Sequence, residues 1–126
     1  MISVSASRQP IAGHVPDVGD IIWLDAGPTK GHEQDSRRPW VCLSGRSFND
    51  ASGLAHCVPC TTNVKGSQWE VEVSGLQKKT AALWAHGKTI DWRARGAEHY
   101  GETVSKDVLN RIKLRIARLL DIPIMK

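Results

Sequence analysis

Two stretches of the chain carry side chains able to do chemistry together. One is Cys57-Val58-Pro59-Cys60-Thr61-Thr62. The other is Pro28-Thr29-Lys30-Gly31-His32-Glu33-Gln34 with Arg37-Arg38-Pro39 just after it. Val58, Cys57 and the β-branched threonines predict a strand running outward from a core. The strand gives way to a loop at Asn63-Val64-Lys65-Gly66. Two hydroxyls therefore arrive at a strand end, a usual place for a scaffold to present reactive groups. The upstream stretch supplies a carboxylate, an imidazole and two guanidiniums. A proton acceptor, hydroxyl donors and fixed positive charge suit a phosphodiester better than a carbonyl.

The elements that must position these groups are short. Pro16-Asp17-Val18-Gly19-Asp20 reads as a turn and Ile21 to Asp25 as a first strand. Residues 26–38 form a polar loop too long for a hairpin turn, and such loops in small domains are often functional. Trp40 to Ser44 is a second strand, with Pro39 allowed at its first position. Asn49-Asp50-Ala51-Ser52-Gly53 is turn chemistry. Leu54 to Thr62 is a third strand, and Trp69-Glu70-Val71-Glu72-Val73 alternates with period two. Ala81 to Trp84 and Lys88 to Trp92 are shorter strands, and Arg95-Gly96-Ala97 opens an irregular or edge stretch. Ser105 is placed to cap a helix over Lys106 to Leu120, with Leu109, Ile112, Ile116 and Leu119 on one stripe and Pro123 beyond its end. Many short strands with a final helix predict a mainly β (α+β) chain: a small β-barrel closed by a C-terminal α-helix. Residues 1–15 lack periodicity and are expected to form a flexible tail before a single domain at 16–126.

The chain has 126 residues, 40% of them hydrophobic and 24% charged. That fits one domain with a real core. The net charge is +4 and uneven: residues 1–50 carry 5 basic and 6 acidic side chains, residues 51–126 carry 12 and 7. A basic second half suits a polyanion. Residues 1–15 have no apolar run of signal-peptide length, and Ile21 to Leu24 is too short to span a bilayer. With three cysteines, an odd number, the expectation is a cytoplasmic protein with reduced thiols and no membrane partner.

With these segments in view, residues 15–121 resemble the MazF/PemK family of toxin endoribonucleases. The matching blocks are Pro16-Asp17-Val18-Gly19-Asp20-Ile21-Ile22-Trp23, Pro28 to Gln34, Arg38-Pro39-Trp40-Val41, Val58-Pro59-Cys60-Thr61-Thr62 and Trp92-Arg93-Ala94-Arg95-Gly96-Ala97. The resemblance implies an SH3-like barrel, a homodimer and cofactor-free, metal-independent cleavage of single-stranded RNA at short sequences. It also implies a cognate MazE-like antitoxin. In the family, an arginine before the loop's final proline and the first threonine after Pro-Cys carry cleavage; here these are Arg38 and Thr61. Where members often carry Asp-Gln, this chain has Ala85-His86, a departure near the RNA path or dimer seam of relatives that bears on base preference and on activity itself.

RNA can be cut by its own 2′-hydroxyl attacking the adjacent phosphorus. Arg38 suits charge on the non-bridging oxygens, because its planar fork matches a phosphate and its charge is permanent. The plainer reading is a surface ion pair with Glu33 or Asp35. Thr61 can donate to a phosphate oxygen, or be an ordinary strand threonine. Glu33 either accepts the 2′-proton or orients Arg38. His32 has the right ordinary pKa for acid–base work. Lys30, His32, Arg37, Lys65, Lys88, Arg93 and Arg95 are the candidate RNA-binding track. Trp23, Trp40 and Trp69 are expected in the core, while Trp84 and Trp92 adjoin basic stretches and are candidates for base stacking as well as burial.

Two other classes compete. Cys57-Val58-Pro59-Cys60 mimics a thiol–disulfide motif, but poor helix sequence follows it, and on a strand positions i and i+3 face opposite ways. Cys42, His56, Cys57 and Cys60 lack the second close pair of a zinc site, so no metal is expected. The other rival is a non-cleaving module that grips RNA or a protein target.

Overall fold

The computed structural model describes residues 9–26 and 37–124. The strands are β1 (Asp20–Leu24), β2 (Arg38–Cys42), β3 (Ala55–Thr61), β4 (Glu70–Val73), β5 (Thr80–Leu83), β6 (Lys88–Ile90) and β7 (Glu98–Thr103). Two helices, α1 (Arg46–Ser52) and α2 (Lys106–Leu119), and a 3₁₀ turn at Trp84–His86 complete the described secondary structure. The strands pair in the order β4-β5-β3-β2-β1-β7, with β6 also on β3. The pairings are antiparallel throughout. β3 is the hub: β2 lines one edge, while β6 takes Ala55–Cys57 and β5 takes Cys60–Thr61 on the other. The expected small barrel with a C-terminal helix is what the chain forms, as a barrel-like open sheet. No helix among the described residues is long and apolar enough to cross a membrane.

β1 to β3 read as continuous apolar runs because both faces of the sheet are covered. Ile21, Val41, Val58 and Cys60 join Val104, Val108 and Ile112 in one core. Ile22, Leu24, Trp40, Cys42 and Cys57 join Ile90 and Trp92 in a second. Strand alternation sends neighbouring residues to opposite cores. The helix α2 starts where expected: Ser105 Oγ accepts from Val108 N at 3.1 Å. Val108 and Ile112 are buried, but Leu119 is 56% exposed. The predicted stripe therefore docks from Leu109 through Ile116, and Leu119 stands clear of the core.

Three sequence expectations are corrected. Asn49–Gly53 is not a turn between strands but the end of α1, with Gly53 as its left-handed cap at φ 75°. Trp69 precedes β4 and is 52% exposed, so it is not core. Trp84 opens the 3₁₀ turn instead of ending a strand. The stretch after Arg95-Gly96-Ala97 resolves into the edge strand β7, paired with β1. The stretch expected as a tail reaches the sheet within residues 9–15: Ile11 N donates to His99 O at 2.7 Å.

Candidate functional site

β2 and β3 place the two leading site residues side by side. Trp40 pairs with Pro59 and Val41 with Val58. Continued outward, that register sets Arg38 across from Thr61, at the same end of the two central strands. Arg38 is exposed and Thr61 half-buried. Thr61 Oγ1 accepts from Asn63 N at 3.0 Å. This local turn fixes the hydroxyl oxygen and leaves its proton to donate.

Beside this strand end lies a cavity of about 550 Å³ bordered by Asp25, Arg38, Trp40, Pro59, Leu83, His86 and Lys88. Its wall combines the end of β1, the start of β2, the 3₁₀ turn and the start of β6. Arg38 and Lys88 give it positive charge, His86 adds an imidazole and Asp25 a carboxylate. The indole Nε1 of Trp40 is buried without a hydrogen-bond partner among the described residues. A buried donor left bare costs about 1–3 kcal/mol, so the position is unusual for a purely structural tryptophan.

Among the other expected residues, Lys88 borders this cavity and Lys65 lies in the loop after Thr61, where its backbone N donates to the Glu70 carboxylate. Three arginines are tied to the protein. Arg37 Nη2 donates to Trp23 O at 2.9 Å and Gly96 O at 2.8 Å, and pairs with Glu98 at 3.2 Å. Arg95 Nη1 donates to Asp25 O at 2.8 Å. Arg93 pairs with Asp50 at 3.2 Å and lies over the Trp92 ring, 4.7 Å from its centroid. Lys30, His32 and Glu33 fall outside the described residues.

Of the two readings open for Trp84 and Trp92, burial holds. Trp84 and Trp92 are each 8% exposed. Their indole N–H groups donate to Gln68 O and Asn49 O, both at 3.1 Å. The exposed tryptophan is Trp69, whose ring lies 5.6 Å from that of Trp84. Sequence reasoning missed Asp25 and Trp40 as wall residues. Asp25 sat at the end of an apolar strand and Trp40 inside one, so neither carried a local signal. His86 was legible only as a departure from a family pattern.

The cysteines do not form a redox pair. Cys57 belongs to one core and Cys60 to the other, and all three are free and buried. Burial pushes the Cys60 thiol up to about 12, with the Arg38 guanidinium pulling weakly the other way. Cys57 is pushed up by the hydrogen bond it shares with Cys42 and then by burial. Buried, protonated thiols are inert. Cys57 and Cys60 in native protein at pH 8 should therefore resist iodoacetamide over an hour, while protein in guanidinium takes up three labels, one per cysteine. Rapid native labelling at Cys57 or Cys60, read by mass spectrometry, would restore the thiol reading. Among the described residues no metal-ligand grouping lies in this cleft.

Fold and site together define a small β-barrel domain with a basic cleft at the end of its central strands. The chain belongs to the PemK-like, MazF-like toxins of type II toxin–antitoxin systems, whose family model matches residues 17–120. It is 46% identical over 110 residues to the endoribonuclease toxin MazF of Escherichia coli K12, covering 87% of this chain and 98% of that one. Among solved structures, MazF from Deinococcus radiodurans superposes with a TM-score of 0.76 at 36% identity, covering 86% of this chain and 98% of that one. MazF in a MazE–MazF crystal from the same organism gives 0.74 at 31% identity, covering 87% and 100%.

Proposed function

We propose that this protein is the toxin of a type II pair and cleaves single-stranded RNA at a short sequence, without a metal. The observation that carries the reading is Arg38 on the wall of a basic cavity, with the β2–β3 register, continued outward, setting Thr61 across from it, in a chain 46% identical to an endoribonuclease toxin. The RNA 2′-oxygen attacks the adjacent phosphorus as its proton passes to a carboxylate. A 2′,3′-cyclic phosphate forms, and the 5′-oxygen leaves and takes up a proton. Arg38 holds the non-bridging oxygens with two N–H donors. Thr61 donates its hydroxyl proton to the same phosphate. Glu33 is the proton acceptor or the group that orients Arg38, and Asp25 is the carboxylate on the described wall. Lys88 and Lys65 extend the track for neighbouring phosphates, so binding weakens as salt rises.

The partners follow from the same reading. The protein acts in the cytoplasm as a homodimer, and a MazE-like antitoxin covers the cleft, in keeping with the MazE–MazF assembly of the Deinococcus relative. Cleavage of messenger RNA stops translation and growth.

Thr61 tests the donor role. Thr61→Ala should cut a long single-stranded RNA about 10²-fold more slowly than wild type, the usual cost of one lost charge-stabilising donor. Thr61→Ser keeps the hydroxyl and should stay within about tenfold. Equal rates for the two variants would remove Thr61 from the chemistry. Intact RNA with wild-type protein, despite binding, would instead favour the non-cleaving module, and the Ala85-His86 departure would be the first place to look.

A further inference from the structure

Asp20 opens β1, while the cleft lies past that strand's other end, about 13 Å away at 3.3 Å per residue. At this far end the chain gathers two imidazoles and a carboxylate that the cleavage chemistry does not use. His14 Nε2 lies 2.7 Å from Asp20 Oδ2. His99 Nε2 lies 4.0 Å from Asp20 Oδ1. One ligand atom from each of the three falls within 4.8 Å of the others. We propose that His14, Asp20 and His99 bind a divalent first-row transition-metal ion, Zn²⁺ foremost, which ties the segment before β1 to β1 and β7.

Three features support a metal over a plain hydrogen-bonded cluster. First, His99 Nδ1 sits 3.0 Å from Ile21 O. A carbonyl only accepts, so Nδ1 holds the proton and Nε2 of the neutral ring keeps a lone pair toward Asp20. That is the arrangement by which an outer partner orients a metal-binding imidazole. Second, the 4.0 Å between His99 Nε2 and Asp20 Oδ1 is too long for a hydrogen bond. Two ligands on a tetrahedral ion with bonds of about 2.0–2.1 Å stand roughly 3.3–3.4 Å apart, so the pair is spaced for an ion after closing by about 0.6 Å. Third, two of the three donors, Asp20 and His99, are held in place. Asp20 is 6% exposed and His99 5%, and Asp20 Oδ2 also accepts from Asp17 N at 2.8 Å. An imidazole–imidazole–carboxylate set suits zinc and its neighbours better than calcium or magnesium.

The site also has room for solvent ligands. His14 and His99 border a cavity of about 320 Å³. Arg93 on its wall is paired with Asp50. The two imidazole rings stack with centroids 4.1 Å apart, so His14, with 19% of its side chain exposed, must turn out of the stack for both Nε2 atoms to reach one ion. The ion then replaces the proton shared between His14 and Asp20, and affinity falls as pH drops.

The test is calorimetric titration of tag-free protein with ZnCl₂ at pH 7.5, beside thermal unfolding. One ion per chain should bind, and Tm should rise by about 5 °C or more at roughly 100 times Kd. His14→Gln, at a part-exposed position that leaves the sheet untouched, should weaken binding at least tenfold and abolish the Tm rise. His99→Ala should abolish binding. No zinc-dependent heat or Tm shift would overturn the proposal, as would equal zinc affinity in wild type and His14→Gln. Its failure leaves the cleavage reading untouched, because that is measured in EDTA.

Discussion

Arg38→Ala is expected to slow RNA cleavage about 10³-fold, the low end of what a transition-state arginine contributes to phosphoryl chemistry. Arg38 sits at the first position of β2, exposed and bordering the basic cavity. Negative charge grows on the phosphate oxygens as the 2′-oxygen attacks, and a fixed guanidinium needs little reorganisation to meet it. Lys88 and His86 remain on the wall in the variant, so RNA binding should fall much less than rate. Arg38→Lys keeps charge but loses the fork, and should recover only part of the rate. The fold should be indifferent, because an exposed side chain at a strand end changes stability by about 0.5 kcal/mol or less. Single-turnover cleavage against thermal unfolding separates these effects. Wild-type rates in Arg38→Ala would remove the residue from the mechanism.

Asn49→Ala is expected to have the largest effect on stability, about 3 kcal/mol or a Tm drop of about 10 °C. Asn49 is fully buried, with 0% exposure, although it carries a polar amide. Its Nδ2 donates to Pro16 O at 2.7 Å and Ser44 O at 3.1 Å. Its Oδ1 accepts from Ser44 Oγ at 2.6 Å. The same Ser44 Oγ accepts from His56 N at 2.9 Å. One amide thus links the entry to β1, the end of β2, α1 and β3. Alanine takes this partner from Pro16 O, Ser44 O and the Ser44 hydroxyl and opens a small void. Ser52→Ala, on the same helix but exposed, is the control and should cost under about 1 kcal/mol. Chemical denaturation of the three proteins checks the order. A change below about 1 kcal/mol for Asn49→Ala would mean the network is not a stabilising unit.

Asn49 also shows where sequence reading stops. Its neighbours spell turn chemistry, and the final Gly53 does end an element, but the element is a helix whose anchor is a tertiary contact. No local pattern announces that an asparagine will be buried. β1, β2 and β3 were legible because their apolar runs are long relative to their length, and α2 because cap, stripe and stop agree. For β7 only an irregular or edge stretch was legible, since Glu98-His99-Tyr100-Gly101-Glu102-Thr103 lacks apolar alternation, and its register on β1 shifts between Asp20 and Ile22. Trp69 misled because alternation from Val71 and Val73 extends to it by period alone, whereas β4 begins one residue later. Within the site, Arg38 and Thr61 could be named from motif blocks, and strand register then explains their adjacency. The cavity wall could not, because Asp25, Trp40 and His86 come from three separate elements. His14, Asp20 and His99 are likewise spread along the chain, and only the pairing of β1 with β7 brings the second and third together.

The most direct test of the central claim is the chemistry of the RNA ends. Purified protein is incubated with a long single-stranded RNA in EDTA, and the fragments are sequenced and their 3′ ends analysed, with Arg38→Ala in parallel. Cuts should fall at one short recurring word, with a 2′,3′-cyclic phosphate at each new 3′ end, a 5′-hydroxyl on the downstream fragment, and far less product from the variant. Fragments ending in a 3′-hydroxyl with a 5′-phosphate, or cleavage that stops in EDTA, would contradict the central claim.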